Sequence, residues 1–325
     1  MQFPGQGKPP VGIVYDTGLS RPGDALALAM LHGLEGKREA RLIGVSVSRS
    51  NLKAAIFCEA VNLFYAGPPP PGPFAGFLRS LPVGLAMDAR LAGELPLFAA
   101  PLAKHPFRST IKKLNDTADP VAVVRNAMES GFDDNTIVLL SGPATVLASV
   151  VALRGAREMI GQKVKLLALA VGAYPEGEPD PYLQADVPAA QKLLAEWPTP
   201  IIAAGTELGS ALPYPGASLE KDFAWTPAHP VAEAYRAHRP MPYDAPAETL
   251  AAALYAVRGK DSGFQLSEPG TISVAAEGRA RFTPAAQGKH RYLIAEAAEK
   301  ERIVKTYTEI VSAKPVPRAP RRPPQ

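Results

Sequence analysis

The sequence predicts an α/β protein: an open, mostly parallel, Rossmann-like sheet flanked by helices, closed by a C-terminal hairpin and helix. Three observations predict it. Short apolar runs alternate with helical stretches along most of the chain. The runs are apolar throughout, as in strands covered on both faces. Strands separated by helices join through crossovers, which make neighbouring strands parallel. The handedness of such crossovers places the carboxyl ends of the strands on one edge, where open α/β sheets hold their ligands.

Taken in order, Val11-Gly12-Ile13-Val14-Tyr15 is a strand ending in Asp16, and Asp24 to Leu31 is a helix apolar almost all round, suited to deep packing. Leu42 to Val47 is a second strand. A helix from Asn51 carries Leu52, Ile56, Ala60, Leu63 and Phe64 on one stripe, with Lys53, Glu59 and Asn62 off it. Asp119-Pro120 opens another helix, cap first and proline in the first turn. Thr136 to Leu140 is a strand closed by Ser141-Gly142-Pro143, and Thr145 to Leu153 a helix. Val164 to Val171 and Pro200 to Ala204 are strands on either side of a helix from Val187 to Glu196. Thr271 to Phe282 alternates about Glu277-Gly278 as a hairpin, and Ile294 to Val311 is the closing helix. Residues 66 to 118 read as a long loop.

Composition narrows the function classes. With 325 residues, 46% of them apolar and 20% charged, the chain is that of an ordinary globular protein with a real core. Residues 11–313 are expected to form one domain, between a flexible leader (1–10) and a disordered Pro/Arg-rich tail (314–325). The formal charge of +4 is matched by Lys314, Arg318, Arg321 and Arg322 in that tail, so the body is balanced and nucleic acid is not an expected partner. No run of about 18 apolar residues exists, so no membrane span is expected. The leader has no apolar h-region, which suits a soluble cytoplasmic protein, or an exported one already processed. The single cysteine, Cys58, excludes an internal disulfide and a cysteine-based zinc site. Among the 35 prolines, the run from Gly67 to Pro73 must be a stiff extended loop.

Three acids stand at strand or helix ends on the expected ligand edge: Asp16, Asp24 and Asp244, the last before Ala245-Pro246-Ala247-Glu248-Thr249-Leu250. Any one of them could be a helix cap and nothing more. Converging, they would suit a hard cation such as Ca²⁺. His32, His105, His229, His238 and His290 show no i, i+4 pair for zinc. His229 and His238 flank the approach to Asp244, where either could protonate a leaving group. Gly-x-Ser-x-Gly and P-loop patterns are absent, and Gly18-Leu19-Ser20-Arg21-Pro22-Gly23 does not supply a dinucleotide fingerprint. A haloacid-dehalogenase-type phosphatase would need a second acid at position 18, which is glycine.

Four segments together resemble the inosine/uridine-preferring nucleoside hydrolases. The family's Asp-x-Asp-x-Gly-x-Asp-Asp-Ala opening is similar to Asp16-Thr17-Gly18-Leu19-Ser20-Arg21-Pro22-Gly23-Asp24-Ala25, and its Gly-Pro-Leu-Thr-Asn-Leu to Gly142-Pro143-Ala144-Thr145-Val146-Leu147. Its glycine-rich strand end and following helix resemble Val171-Gly172-Ala173 and Asp186-Val187-Pro188-Ala189-Ala190. Its late segment resembles Tyr243-Asp244-Ala245-Pro246. The resemblance spans roughly residues 11 to 260. It implies hydrolysis of the N-glycosidic bond of a ribonucleoside or related ribosyl compound, helped by Ca²⁺, in a homo-oligomer. By carry-over, Asp16, Asp24, Asp244 and the carbonyl of Thr145 would hold the ion, whose bound water attacks the anomeric carbon through an oxocarbenium-like transition state.

The departures from the family pattern bear on the chemistry. Gly18 and Gly23 stand where the family has acids, Val146 where it has asparagine, and Tyr243 where many members have a leaving-group histidine. The family's Glu-x-Asn appears as Asp180-Pro181-Tyr182. A substitute general base is then required, for which Asp16 and Glu207 are the expected residues, while Asn51, Tyr182, His238 and Tyr243 are expected to contact the ligand. The competing reading is a non-catalytic protein on the same fold that binds a ribosyl or sugar-like ligand; an assembly role for the tail is the third.

Overall fold

The structure, a computed structural model, describes residues 9–68 and 81–316. The leader through residue 8, most of the proline run and the tail beyond residue 316 lie outside the described residues. The elements begin β1 (Val11–Thr17), α1 (Pro22–Gly36), β2 (Ala40–Val47), α2 (Leu52–Ala66), β3 (Val83–Leu85), α3 (Pro96–Lys104) and α4 (Pro120–Glu129). They continue with β4 (Thr136–Ser141), α5 (Thr145–Val151), α6 (Ala156–Lys163), β5 (Val164–Leu169), α7 (Pro181–Ala185), α8 (Val187–Glu196) and β6 (Ile201–Ala203). Four helices follow, α9 (Thr206–Ala211), α10 (Gly216–Lys221), α11 (Pro230–His238) and α12 (Glu248–Arg258). The chain ends with β7 (Phe264–Leu266), β8 (Gly270–Val274), β9 (Ala280–Pro284), β10 (His290–Ala295) and α13 (Lys300–Val311).

The strands form one sheet in the order β3-β2-β1-β4-β5-β6-β10-β8-β9, with β7 paired to β10. From β3 through β10 every neighbouring pair is parallel; β8, β9 and β7 add antiparallel pairs at the far end. The order reverses between β1 and β4, so a crevice opens between their carboxyl ends, the usual ligand position in such sheets. Side chains of successive strand residues face opposite sides. Ile13 and Tyr15 therefore pack with Leu26, Phe57, Leu250 and Ile303 in one core, and Val14 with Val124, Leu147 and Leu193 in the other. Helix α1 is buried from Pro22 through Leu34 because α11, α12 and α13 cover the side turned away from the sheet. Among the described residues, no helix is long and apolar enough to cross a membrane.

Three sequence expectations change. The segment from 66 to 118 is not one long loop, for it holds β3 and α3. Three residues of β3 are too few to show a period, and they are recognised only by their pairing to β2. Glu59 and Asn62, off the apolar stripe of α2, are buried at 2% and 4% exposure. The Glu59 carboxylate accepts hydrogen bonds from the amides of Thr110 and Ile111 at 2.7 and 3.1 Å and from the hydroxyls of Ser109 and Thr110, which ties that segment down. Lastly, Ile294 lies in β10, and the closing helix starts at Lys300.

Candidate active site at the carboxyl edge

At the crevice between β1 and β4, the two crossing loops touch. A Cβ on Gly142 would lie 2.5 Å from the Gly18 amide nitrogen, so only glycine fits there. Tyr15, on the α1 face of β1, hydrogen-bonds Ser141 Oγ at 2.7 Å and donates to the Asp24 carbonyl at 3.0 Å. The turn from β1 into α1 is strained, with Leu19 at φ 47°, a region non-glycine residues rarely adopt. Such strain costs about 1–3 kcal/mol and gathers at functional sites.

Asp24 is the third residue of α1 and is fully buried. Its Oδ2 accepts from the amides of Ser20 (3.1 Å) and Arg21 (3.0 Å) and from the Tyr182 hydroxyl (2.5 Å). Its Oδ1 accepts from Thr249 Oγ1 at 3.1 Å. Burial raises its pKa, although Arg21 and the Tyr182 hydroxyl pull it down. Arg21 lies over the Tyr182 ring, 4.5 Å from its centroid, and pairs with Asp180 Oδ2 at 2.8 Å and Glu248 Oε1 at 2.9 Å. Asp180 and Glu248 are 1% and 2% exposed in their side chains, whereas Arg21 keeps 21% and forms the solvent-facing member of the cluster. Burial alone would lower the Arg21 pKa, but the two carboxylates outweigh it and hold the guanidinium charged. Glu248 is pushed up by burial, with Arg21 opposing, and its Oε2 has no hydrogen-bond partner.

A second guanidinium closes the site. Arg49, 3% exposed, donates to the carbonyls of Gly18 (2.9 Å), Ala92 (2.6 Å) and Gly93 (3.2 Å) and to Ser20 Oγ (2.6 Å). Burial lowers its pKa, partly offset by Tyr182 and Asp24. Tyr182 fills the space beside Gly18, where a Cβ would come within 2.5 Å of its ring.

Of the residues expected from sequence, Asp24 and Tyr182 meet here; the other proposed ligands of Ca²⁺ do not join them. Asp16 shares its strand face with Val14 and so turns away from Tyr15 and Asp24. It is fully buried, its Oδ1 accepts from Ser48, its Oδ2 has no partner, and burial raises its pKa to about 7 against the lowering effect of the Ser48 and Ser46 hydroxyls. The Thr145 carbonyl accepts from Ser149 Oγ at 2.8 Å inside its own helix. Asp244 is exposed and receives the Gly216 amide at 2.8 Å at the start of α10. Among the described residues, no group of three His, Cys, Asp or Glu side chains could hold a metal ion. With the acceptor positions of Asp24 engaged and a guanidinium between Asp180 and Glu248, these residues do not fit a Ca²⁺ ion.

The remaining expected residues are dispersed. Glu207 in α9 is exposed as a residue, but its carboxylate turns inward to accept the Tyr174 amide at 3.0 Å, and partial burial there raises its pKa. It holds the turn that follows β5, in which the Gly172 amide donates to Asp180 at 3.0 Å. Asn51 caps α2 through the Lys53 amide. Tyr243 stacks on Tyr235 at 4.3 Å beneath the Arg239 guanidinium, with His238 exposed beside it. Sequence reasoning gave no role to Arg21, Arg49, Asp180, Glu248 or Thr249. Glu248, a charge opening the otherwise apolar run Thr249-Leu250-Ala251-Ala252-Ala253-Leu254, was the readable signal.

No family model and no curated protein sequence matches the chain. Solved structures do. The plant nucleoside hydrolase PpNRh1 superposes with a TM-score of 0.68 at 17% identity, covering 94% of this chain and 100% of its own. The fold is that of the nucleoside hydrolases. A purine-preferring ribonucleoside hydrolase from Gardnerella vaginalis gives 0.66 at 14% identity, with 93% and 98% coverage. The type III effector XopQ, solved with adenosine diphosphate ribose, gives 0.64 at 12% identity, with 96% coverage of both chains. The nucleoside hydrolase fold thus places Asp24, Arg21, Asp180 and Glu248 at the carboxyl edge of its sheet, on the loops and helix starts that follow β1, β5 and α11.

Proposed function

We propose that this nucleoside-hydrolase-like protein takes a ribosyl compound, a nucleoside or a relative of one, at the carboxyl-edge cluster and hydrolyses its N-glycosidic bond. The observation that carries this reading is the gathering of Asp24, Asp180 and Glu248 around Arg21, on a fold whose solved neighbours include nucleoside hydrolases. Buried carboxylates supply the fixed negative charge that an oxocarbenium-like transition state requires. Arg21, the solvent-facing member, meets the ligand first. Glu207, exposed at the same edge with its pKa raised, is the base that would take a proton from the attacking water. That water's oxygen bonds to the anomeric carbon as the bond to the base nitrogen breaks; the electron pair stays on the nitrogen, and the departing base takes up a proton from solvent. No divalent ion takes part, because the residues do not fit one.

A second reading, ligand binding without turnover, is favoured at Gly18, which leaves the site without the acid that the nucleoside hydrolase pattern has there. One experiment separates the two: incubate the protein with a panel of ribonucleosides and with adenosine diphosphate ribose, in EDTA, and measure released reducing sugar beside thermal melting. Sugar release that Glu207→Gln abolishes supports hydrolysis; a melting shift without release supports binding. If no compound in the panel does either, both readings fail.

A further inference from the structure

We propose that Arg21 is a tethered counter-ion, built into the chain, that pairs with two of the three buried carboxylates of the carboxyl edge, Asp180 and Glu248, and makes this site independent of divalent cations. The inference stands on geometry alone and holds whether or not a ribosyl ligand is turned over.

Three carboxylates, Asp24, Asp180 and Glu248, are buried within the same cluster at 0%, 2% and 2% exposure. Buried acids at that density need positive charge, because an unpaired ion away from water costs several kcal/mol. A dissociable metal ion is one solution. This chain carries another: the guanidinium bridges Asp180 and Glu248 with one N–H each, rests on the Tyr182 ring, and its own backbone amide reaches Asp24. A planar fork of donors suits two carboxylates set apart, whereas a spherical ion needs oxygens converging on a point. The position also follows from the sequence. Arg21 precedes Pro22, the first residue of α1, and Pro22 fixes Arg21 in an extended conformation that swings its side chain across to α7 and α12. Arg49 does not share the role, since its donors go to carbonyls and a hydroxyl.

The test is thermal melting of the full-length protein. Wild type is expected to melt at the same temperature in EDTA, in Mg²⁺ and in millimolar Ca²⁺. Arg21→Met, which keeps the apolar stem, is expected to lower the melting temperature by roughly 5 °C. Adding Glu248→Gln to Arg21→Met is expected to recover part of that loss, which a merely steric role for Arg21 would not give. The proposal is overturned if Ca²⁺ raises or EDTA lowers the wild-type melting temperature, if Arg21→Met melts like wild type, or if the double variant melts no higher than the single one. Should Arg21→Met fail to fold, recovery of soluble protein in the double variant supports the proposal, and its absence overturns it. Failure of the ribosyl reading would leave these melting results unchanged, so the two claims fall separately.

Discussion

The hydroxyl of Tyr182 donates to Asp24 Oδ2 at 2.5 Å, across 158 residues of sequence, and accepts the Ser20 amide at 2.9 Å. This one side chain joins the turn after β1 to the turn after β5. Tyr182→Phe leaves the ring beneath Arg21 but removes both bonds, one of them to a charged acceptor. The expected cost is about 1.5–3 kcal/mol, read as a lower urea midpoint at unchanged slope. An unchanged midpoint would show that the pair contributes nothing.

Gly18 leaves little room for the acid that the nucleoside hydrolase pattern has at this position. A Cβ there would meet the Tyr182 ring at 2.5 Å and Leu91 at 3.0 Å. Gly18→Asp is expected to destabilise by roughly 1–3 kcal/mol through overpacking. Combined with Tyr182→Ala, its further cost should shrink, because the space is then open. A double-mutant cycle measures this coupling; strict additivity would refute it.

Asp16 predicts a pH slope. Its pKa is near 7 in the fold and close to 3.9 in the unfolded chain. Between these values the folded state holds one proton more, so stability falls as pH rises from about 4 to about 7 and is level above. The fall is on the order of a few kcal/mol. Asp16→Asn keeps an acceptor for Ser48 and removes the titration. Its melting temperature relative to wild type should therefore be higher at about pH 8 than at about pH 5. Parallel curves for the two proteins would count against a buried, proton-holding Asp16.

Asp244 separates the candidate site from the expected set of metal ligands. Its carboxylate caps α10 through the Gly216 amide. Asp244→Ala should cost about 0.5–2 kcal/mol, as caps do, with ligand-induced melting shifts preserved. Loss of those shifts alone, at unchanged stability, would put Asp244 back in the ligand site.

Much of the fold was legible because most of the parallel strands are apolar and several helix starts carry a cap or proline: Asp119-Pro120 and Asp186-Val187-Pro188 mark α4 and α8 to the residue. What escaped was set by pairing across the chain. β3 and β10 are strands because β2 and β6 lie beside them, and β10 carries polar residues that hide its pattern. The site was legible at Asp24, whose place at a helix start is local. Asp16 stands apart from that cluster because its strand phase turns it to the face of the sheet opposite Tyr15. Arg21, Asp180 and Glu248 escaped because their meaning is mutual: each is an ordinary surface charge in sequence and becomes a buried cluster only when α1, α7 and α12 meet.

The sheet's parallel run is finished by β10, a strand synthesised almost last, although its neighbour β6 is complete some ninety residues earlier. While the polypeptide is emerging from the ribosome, β6 therefore waits with one margin of amides and carbonyls uncovered, a template for stray pairing. Biogenesis of this protein thus has a vulnerable interval that closes only when its last hairpin and strand arrive, and premature termination anywhere in that interval would leave a product prone to sticking to its own kind.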